Sequence, residues 1–222
     1  MSRQKQKRFE ELKERDNVLE DYKALYTQLK GNWNKLYFKN DHPITVEMGC
    51  GRGEYTTGLA RVYPNRNFVG VDVKGDRLWV GSTQAIEENL ANVAFLRAQI
   101  QSIESFFAPN EVETIWITFP DPFRRDGDAK RRLTSPRYLE YYKSLLTENG
   151  QVFFKTDNTP LFDYTLEILG ERNDIVDLEY TRNLYHSEYM NDHYGIKTKF
   201  EEKFYNLGED IKYMKFRFDH GK

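Results

Sequence analysis

A single cysteine, Cys50, leaves no partner for an internal disulfide, and the four histidines, His42, His186, His193 and His220, fall at no metal-ligand spacing. A disulfide-stapled scaffold and a zinc module are thereby excluded; no metal is expected, and the expected compartment is the reducing cytoplasm. Long apolar runs are missing too. None approaches the ~20 residues of a membrane span, and the opening MSRQKQKRFEELKERD has no apolar stretch behind its charges, as a secretory signal would. The chain is expected to be soluble, unexported and without a membrane partner. It shows no internal repeat and no low-complexity linker. Nor does charge of one sign dominate: 33 Lys and Arg stand against 35 Asp and Glu, a net charge of −2. A polyanion site, if there is one, is therefore local.

Two local concentrations of cations are present, Arg3, Lys5, Lys7 and Arg8 at the start, and Arg124, Arg125, Lys130, Arg131 and Arg132 in the middle. Residues 5–30 lack proline and place Phe9, Leu12, Leu19, Tyr22, Leu25 and Leu29 at roughly helical spacing, which predicts one or two amphipathic helices. From His42 the pattern becomes short apolar runs separated by helical stretches, the mark of a βα-alternating sheet. Expected strands are Ile44–Met48, Asn67–Asp72, Val93–Arg97, Glu113–Thr118 and Gln151–Thr156. Helices are expected between them, over Glu54–Val62, Asp76–Asn89, Pro136–Leu146 and Pro160–Leu169, the last two opened by Ser135-Pro136 and Thr159-Pro160. Two further strands flank a loop and short helix in the tail, and Lys212–Phe218 alternates as an antiparallel closing strand would. The expectation is a Rossmann-like α/β fold, a mostly parallel seven-stranded sheet with an antiparallel C-terminal strand. Residues 1–41 would form a helical, basic extension and residues 42–222 the main domain.

The run Ile44-Thr-Val-Glu-Met-Gly-Cys-Gly-Arg-Gly-Glu54 is a strand feeding a glycine-rich turn and a helix. Gly49, Gly51 and Gly53 let backbone approach a ligand and adopt positive φ. A dinucleotide fingerprint would put its third glycine where Glu54 stands, so a negative charge sits at the pyrophosphate position. That disfavours NAD and an NAD-linked oxidoreductase. It suits a ligand with cationic groups, such as the ammonium and sulfonium of S-adenosylmethionine, and Glu47 at the strand end is placed to attract them. Asp72 ends the second strand and can accept both hydroxyls of a ribose, or simply cap a helix. Gln99, after the third strand, can hydrogen-bond an adenine edge or lie on the surface.

After the fourth strand the chain reads Phe119-Pro-Asp-Pro-Phe-Arg-Arg-Asp-Gly-Asp-Ala-Lys-Arg-Arg-Leu133. Prolines flanking Asp121 hold an acid in a stiff turn beside the crevice, and five cations within nine residues follow, suited to neutralising phosphates. At this segment the sequence resembles the bacterial tRNA (guanine-N7)-methyltransferase family, often called TrmB. The resemblance covers about residues 43–218 and rests on five ordered matches: Glu47 to Gly53, Phe119 to Pro122, Lys130 to Leu133, Lys155 to Asn158, and Thr198 to Glu201.

The resemblance implies a class I S-adenosylmethionine-dependent methyltransferase fold, S-adenosylmethionine as donor and S-adenosylhomocysteine as product. It implies tRNA as partner and the variable-loop guanosine as target; the sequence leaves monomer and homodimer both open. Glu47, Asp72, Gln99 and Asp121 match the family's cofactor-contacting positions, Asp121 being also its proposed catalytic carboxylate. Arg125, Asp157, Thr198, Lys199, Phe200 and Glu201 match substrate-contacting positions, and Lys130, Arg131 and Arg132 belong to its basic segment. Gln99 replaces a common Asp, Phe123 a common Trp, and Arg125 a common Lys, a planar fork in place of a point charge.

Bland alternatives stand beside these roles. Thr198-x-x-Glu201 is also a capping box, Asp157-Asn158 can cap the following helix, Lys155 can reach solvent from a strand end, and Trp79 and Trp116 suit core positions. The residues alone also leave open a non-catalytic tRNA-binding protein that retains the fold, or a methyltransferase for another RNA or a small molecule.

Overall fold

The computed structural model describes residues 3–221, so Met1, Ser2 and Lys222, at the outer ends of the two expected segments, lie outside the described residues. Its strands are β1 (Val18–Leu19), β2 (Ile44–Met48), β3 (Asn67–Asp72), β4 (Val93–Arg97), β5 (Val112–Thr118), β6 (Leu146–Thr156), β7 (Ile175–Thr181) and β8 (Lys212–Phe218). The α-helices are α1 (Arg3–Lys13), α2 (Glu54–Val62), α3 (Gly75–Glu87), α4 (Pro136–Leu145), α5 (Thr159–Gly170) and α6 (Lys199–Asn206). They build one sheet in the order β1-β4-β3-β2-β5-β6-β8-β7. Strands β1 to β6 pair in parallel, and β8 runs antiparallel between β6 and β7.

The seven expected strands and the antiparallel closure are present. The eighth strand, β1, adds in parallel to the outer edge of β4, with Val18 beside Phe95 and Leu19 beside Leu96. Within residues 5–30, helical spacing holds only for α1; two buried strand residues are too few to leave a periodicity of their own. A 3₁₀ turn (Ala24–Thr27) and a π-helical turn (Trp33–Phe38) complete the passage to β2.

Residues of β2 and β3 are buried throughout, because parallel strands are covered on both faces. On one face Leu12 of α1, Tyr55 and Leu59 of α2 and Leu78 of α3 pack on Phe68, Phe95, Trp116 and Tyr213. On the other, α4, α5 and Trp33 cover Val46, Val69, Ile115 and Phe154. Trp116 is core and stacks on Phe153 at 4.3 Å between centroids. Trp79 instead joins two helices: its indole N–H donates to Glu11 at 2.6 Å, and the Arg8 and Arg15 guanidiniums lie 4.6 and 4.9 Å from its ring centroid. Part of the N-terminal positive charge is thus used to dock α1 on α3. Helix α5 is capped by Asn158, whose Oδ1 accepts from the Leu161 N–H at 2.9 Å, one residue earlier than the expected Thr159.

From β2 the sheet grows one way through β3 to β4 and the other way through β5 to β6. A crevice opens at such a switch point, beyond the carboxyl ends of the strands.

Candidate active site

The loop leaving β2 has Gly49, Gly51 and Gly53 at φ +77°, +56° and +70°, a run that L side chains rarely adopt. The glycines differ in what surrounds them. A Cβ on Gly53 would sit 2.5 Å from the Phe95 ring, so this residue is required for packing; a Cβ on Gly51 would meet nothing within 4 Å, so its open side faces a space a ligand can enter. Asp72 fixes the loop from β3, accepting from the Gly51 N–H at 3.0 Å and the Lys74 N–H at 2.8 Å.

Gly53 is also the N-cap of α2 and has no side chain with which to cap it. Glu47 does so from β2: one carboxylate oxygen accepts from the Thr56 N–H at 2.9 Å and hydroxyl at 2.5 Å, the other from the Thr118 hydroxyl of β5 at 2.7 Å. The side chain is buried, and burial raises its pKa to about 7 despite these donors. Glu47 therefore stands behind the crevice wall, its oxygens engaged within the protein.

Two cavities adjoin across a shared wall of Gly49, Arg77 and Phe119. The larger, of 430 Å³, is lined by Asp72, Gln99 and Ile100 from the ends of β3 and β4, and by Asp121, Arg131 and Leu133 from the segment after β5. The smaller, of 300 Å³, lies between the glycine loop and α6, with Arg52, Glu54, Thr198, Lys199, Phe200 and Lys203 on its walls. Gln99 is exposed and bonded to the Gln101 amide. The sequence brings Gly49, Asp72, Gln99 and Asp121 to one cavity and Gly51, Thr198, Lys199 and Phe200 to the other.

Asp121 sits in a turn bounded by two non-glycine residues at positive φ, Phe119 at +49° and Phe123 at +42°. Such backbone persists only where its surroundings over-determine it. Here the Phe119 N–H donates to the Lys155 carbonyl at 2.9 Å, and the Arg132 guanidinium donates to the Pro122 and Phe123 carbonyls, both at 3.1 Å, while resting 4.3 Å from the Tyr164 ring centroid. Arg132 is thus a clasp on the turn. Arg131 lies over the Phe123 ring at 4.5 Å and pairs with Asp128 at 3.3 Å; Arg125 and Lys130 are exposed, outside both cavity walls. Asp121, by contrast with Glu47, is exposed.

Lys155 does not reach solvent. It is fully buried against Glu201, also fully buried, at 2.8 Å, and burial lowers its pKa. The Tyr185 hydroxyl donates to Glu201 at 2.8 Å, and Thr198 and Glu201 complete a capping box at the start of α6. The capping geometry is therefore real, and it sets Thr198, Lys199 and Phe200 on the cavity wall while Glu201 points inward to Lys155. Asp157 is half-buried; burial raises its pKa, and Lys212 and Arg124 act against that.

Charged wall residues absent from the sequence candidates include Lys203, Arg77 and Arg52. Lys203 follows Lys199 by one helical turn, a signal that was available. Arg77 lies in the first turn of the helix after Asp72, a position that faces the crevice once the βα unit is known. Arg52 precedes Gly53, and Glu54, read in the sequence as disfavouring NAD and suiting a cationic ligand, stands on the same wall.

Residues 41–214 match a protein family described as putative methyltransferase. A tRNA (guanine-N(7)-)-methyltransferase of Cytophaga hutchinsonii is 48% identical, covering 98% of this chain and 99% of its own length. That of Christiangramia forsetii is 43% identical over 97% and 98% of the two chains. Among solved structures, the 16S rRNA methyltransferase KamB superposes with a TM-score of 0.61 at 14% identity, over 91% of this chain and 99% of that one, a likeness of fold alone.

Proposed function

Because the chain belongs to the tRNA (guanine-N7)-methyltransferase family, we propose that it methylates N7 of the variable-loop guanosine of tRNA with S-adenosylmethionine as donor. One observation carries this: a crevice at the sheet's switch point with a strained, exposed Asp121 on its wall and the cationic segment 124–132 running from its rim. The residues present fit the donor. Asp72 and Gln99 line the cavity where a ribose and an adenine would sit, Gly51 leaves space for close approach, and Glu54 has a buried Oε1 with no hydrogen-bond partner, a vacancy a cationic ligand can fill.

When bound, S-adenosylmethionine supplies a methyl group on sulfonium, to which the guanine N7 lone pair bonds directly as the carbon–sulfur bond breaks, with no proton to remove. Catalysis by the chain is then placement and electrostatics. Asp121 orients the guanine by accepting from its N1–H and amino group, and its charge favours the cation that develops on the purine. Phe200, 54% exposed on the cavity wall, offers an apolar face for the extruded base, with Lys199 beside it. Arg125, Lys130 and Arg131 receive backbone phosphates; Arg132 acts by holding the Asp121 turn, and Glu201 by holding Thr198–Phe200. The reading places the protein in the cytoplasm with tRNA; no helix among the described residues is long and apolar enough to cross a membrane.

The test is incubation of the purified protein with methyl-labelled donor and tRNA lacking the modification, followed by nucleoside identification. Label in 7-methylguanosine supports the proposal. Label in another nucleoside, or none with donor bound, overturns it, the second outcome favouring a binding-only protein.

A further inference from the structure

Thr198, Lys199, Phe200 and Lys203, on one wall of the smaller cavity, belong to residues 193–205, a stretch of turns leading into α6. A helix as short as α6 does not hold its own shape, and a site needs its walls locked by packing and hydrogen bonds from behind. The side chain of Tyr185 supplies both. Its hydroxyl donates to Glu201 Oε1 at 2.8 Å, and its ring meets His193 edge-on at 5.2 Å between centroids and Tyr205 at 4.6 Å. The exposed Lys197 ammonium lies over both tyrosine rings, 4.6 Å from the Tyr185 centroid and 4.3 Å from that of Tyr205. These partners stand at the start of the stretch, just before Thr198, in the first turn of α6 and near its end, so the stretch is laid around a single phenol.

Tyr185 is itself tied to the sheet. It sits in a 3₁₀ turn (Leu184–His186) whose Leu184 side chain is fully buried in the core and whose Leu184 N–H donates to the Ile211 carbonyl, beside the start of β8, at 2.8 Å. Burial and the Glu201 charge raise the Tyr185 pKa, so the phenol keeps its proton and donates. The direction in which it turns Glu201 matters for the cap of α6: Glu201 Oε2 accepts from the Thr198 N–H at 3.3 Å, and the Thr198 hydroxyl accepts from the Glu201 N–H at 3.1 Å. Lys155 does not set that direction. Its ammonium is a point charge and touches both carboxylate oxygens, at 2.8 and 2.9 Å. The Tyr185 hydroxyl bonds to Oε1 and leaves Oε2 turned to Thr198.

We propose that Tyr185 is a positioning residue for methyl transfer: its hydroxyl orients Glu201 and its ring backs the approach to α6, and together they set Thr198, Lys199 and Phe200 where the extruded base is received. This rests on the reading of the crevice as a tRNA methyltransferase site. Tyr185 lines neither cavity, so its effect on the reaction passes through the wall in front of it.

The test is a double-mutant cycle on single-turnover transfer to unmodified tRNA, with donor and tRNA saturating, in wild type, Tyr185→Phe, Phe200→Ala and the double variant. Calorimetry with 5′-methylthioadenosine, which carries only the adenosine end of the donor, runs beside it. Tyr185→Phe keeps the ring contacts and loses the hydroxyl; it is expected to slow transfer about tenfold and to leave methylthioadenosine affinity within about twofold of wild type. In Phe200→Ala the wall has lost the face that Tyr185 aims, so removing the hydroxyl there is expected to cost no more than about twofold further. Tyr185→Leu, which removes the ring contacts as well, is expected to slow transfer on the order of 10²-fold. A wild-type rate in Tyr185→Phe, the same loss in both backgrounds, or a loss of methylthioadenosine affinity equal to the loss of rate overturns the proposal and leaves the activity standing. Wild-type protein that forms no 7-methylguanosine overturns the reading beneath it.

Discussion

Glu47 lies in β2 and Asp121 follows the neighbouring β5, at the same end of the sheet, yet their surroundings differ in every respect. Around Glu47 the chain is relaxed and closed: the acid caps α2, bridges to Thr118 and is 3% exposed. Around Asp121 it is strained and open, with positive φ at Phe119 and Phe123 and the carboxylate on a cavity wall. The cations divide in the same way. Lys155 is sealed against Glu201, whereas Arg125 and Lys130 stand in solvent. A charge whose partners are all inside the protein is structural, and one held in place without a partner is left for a ligand. Removing the first kind should cost stability; removing the second should cost binding or rate.

The widest gap is expected at the buried pair. Glu201→Ala leaves the Lys155 ammonium buried and unpaired, a loss of about 3–5 kcal/mol, measurable by urea denaturation. Replacing both Lys155 and Glu201 with Met should recover most of it, since an apolar pair needs no desolvation. A double variant as unstable as the single one would show that the pair is not what holds α6.

Next comes the titration of Glu47. Burial lifts its folded pKa to about 7 from an ordinary 4.5, so between those values the folded state keeps a proton that the unfolded state has released. Stability is thus greater at the acid side of the window and falls as pH rises through it, by roughly 3 kcal/mol at about 1.4 kcal/mol per pH unit. Glu47→Gln carries no such proton and should flatten that segment of the stability–pH curve. An unchanged slope would mean that Glu47 is ionised in the fold.

The smallest effect on the fold belongs to the rim. Changing Arg124, Arg125, Lys130 and Arg131 together to Ala should leave the melting temperature within a degree or two, while tRNA affinity drops about tenfold or more and the salt dependence flattens by roughly 0.7 for each phosphate no longer neutralised. Fluorescence titrations at several salt concentrations read both. A uniform weakening with the slope preserved would mean that this loop neutralises no phosphate.

Much of this division was open to sequence reasoning, and its limits are physical. The βα alternation and Lys212–Phe218 announced the sheet, because strands buried on both faces read as short apolar runs. Ordered motifs brought Asp72, Gln99 and Asp121 together. What the residues could not disclose was direction: Glu47, Arg132 and Glu201 have the right chemistry for ligand contact, and only the packing of α2, the Pro122–Phe123 turn and Lys155 turns them inward. Conversely, Arg77 and Lys203 look like ordinary helix-surface charges until the crevice beneath them is seen.

The contrast between the closed acid and the open one is tested most directly by single-turnover methyl transfer with donor and tRNA saturating, wild type against Asp121→Asn. An exposed carboxylate that acts on the base should cost on the order of 10²-fold in rate when neutralised, with an unchanged melting temperature. Near-wild-type turnover by Asp121→Asn would contradict the account, since the exposed acid beside the crevice would then have no part in the reaction.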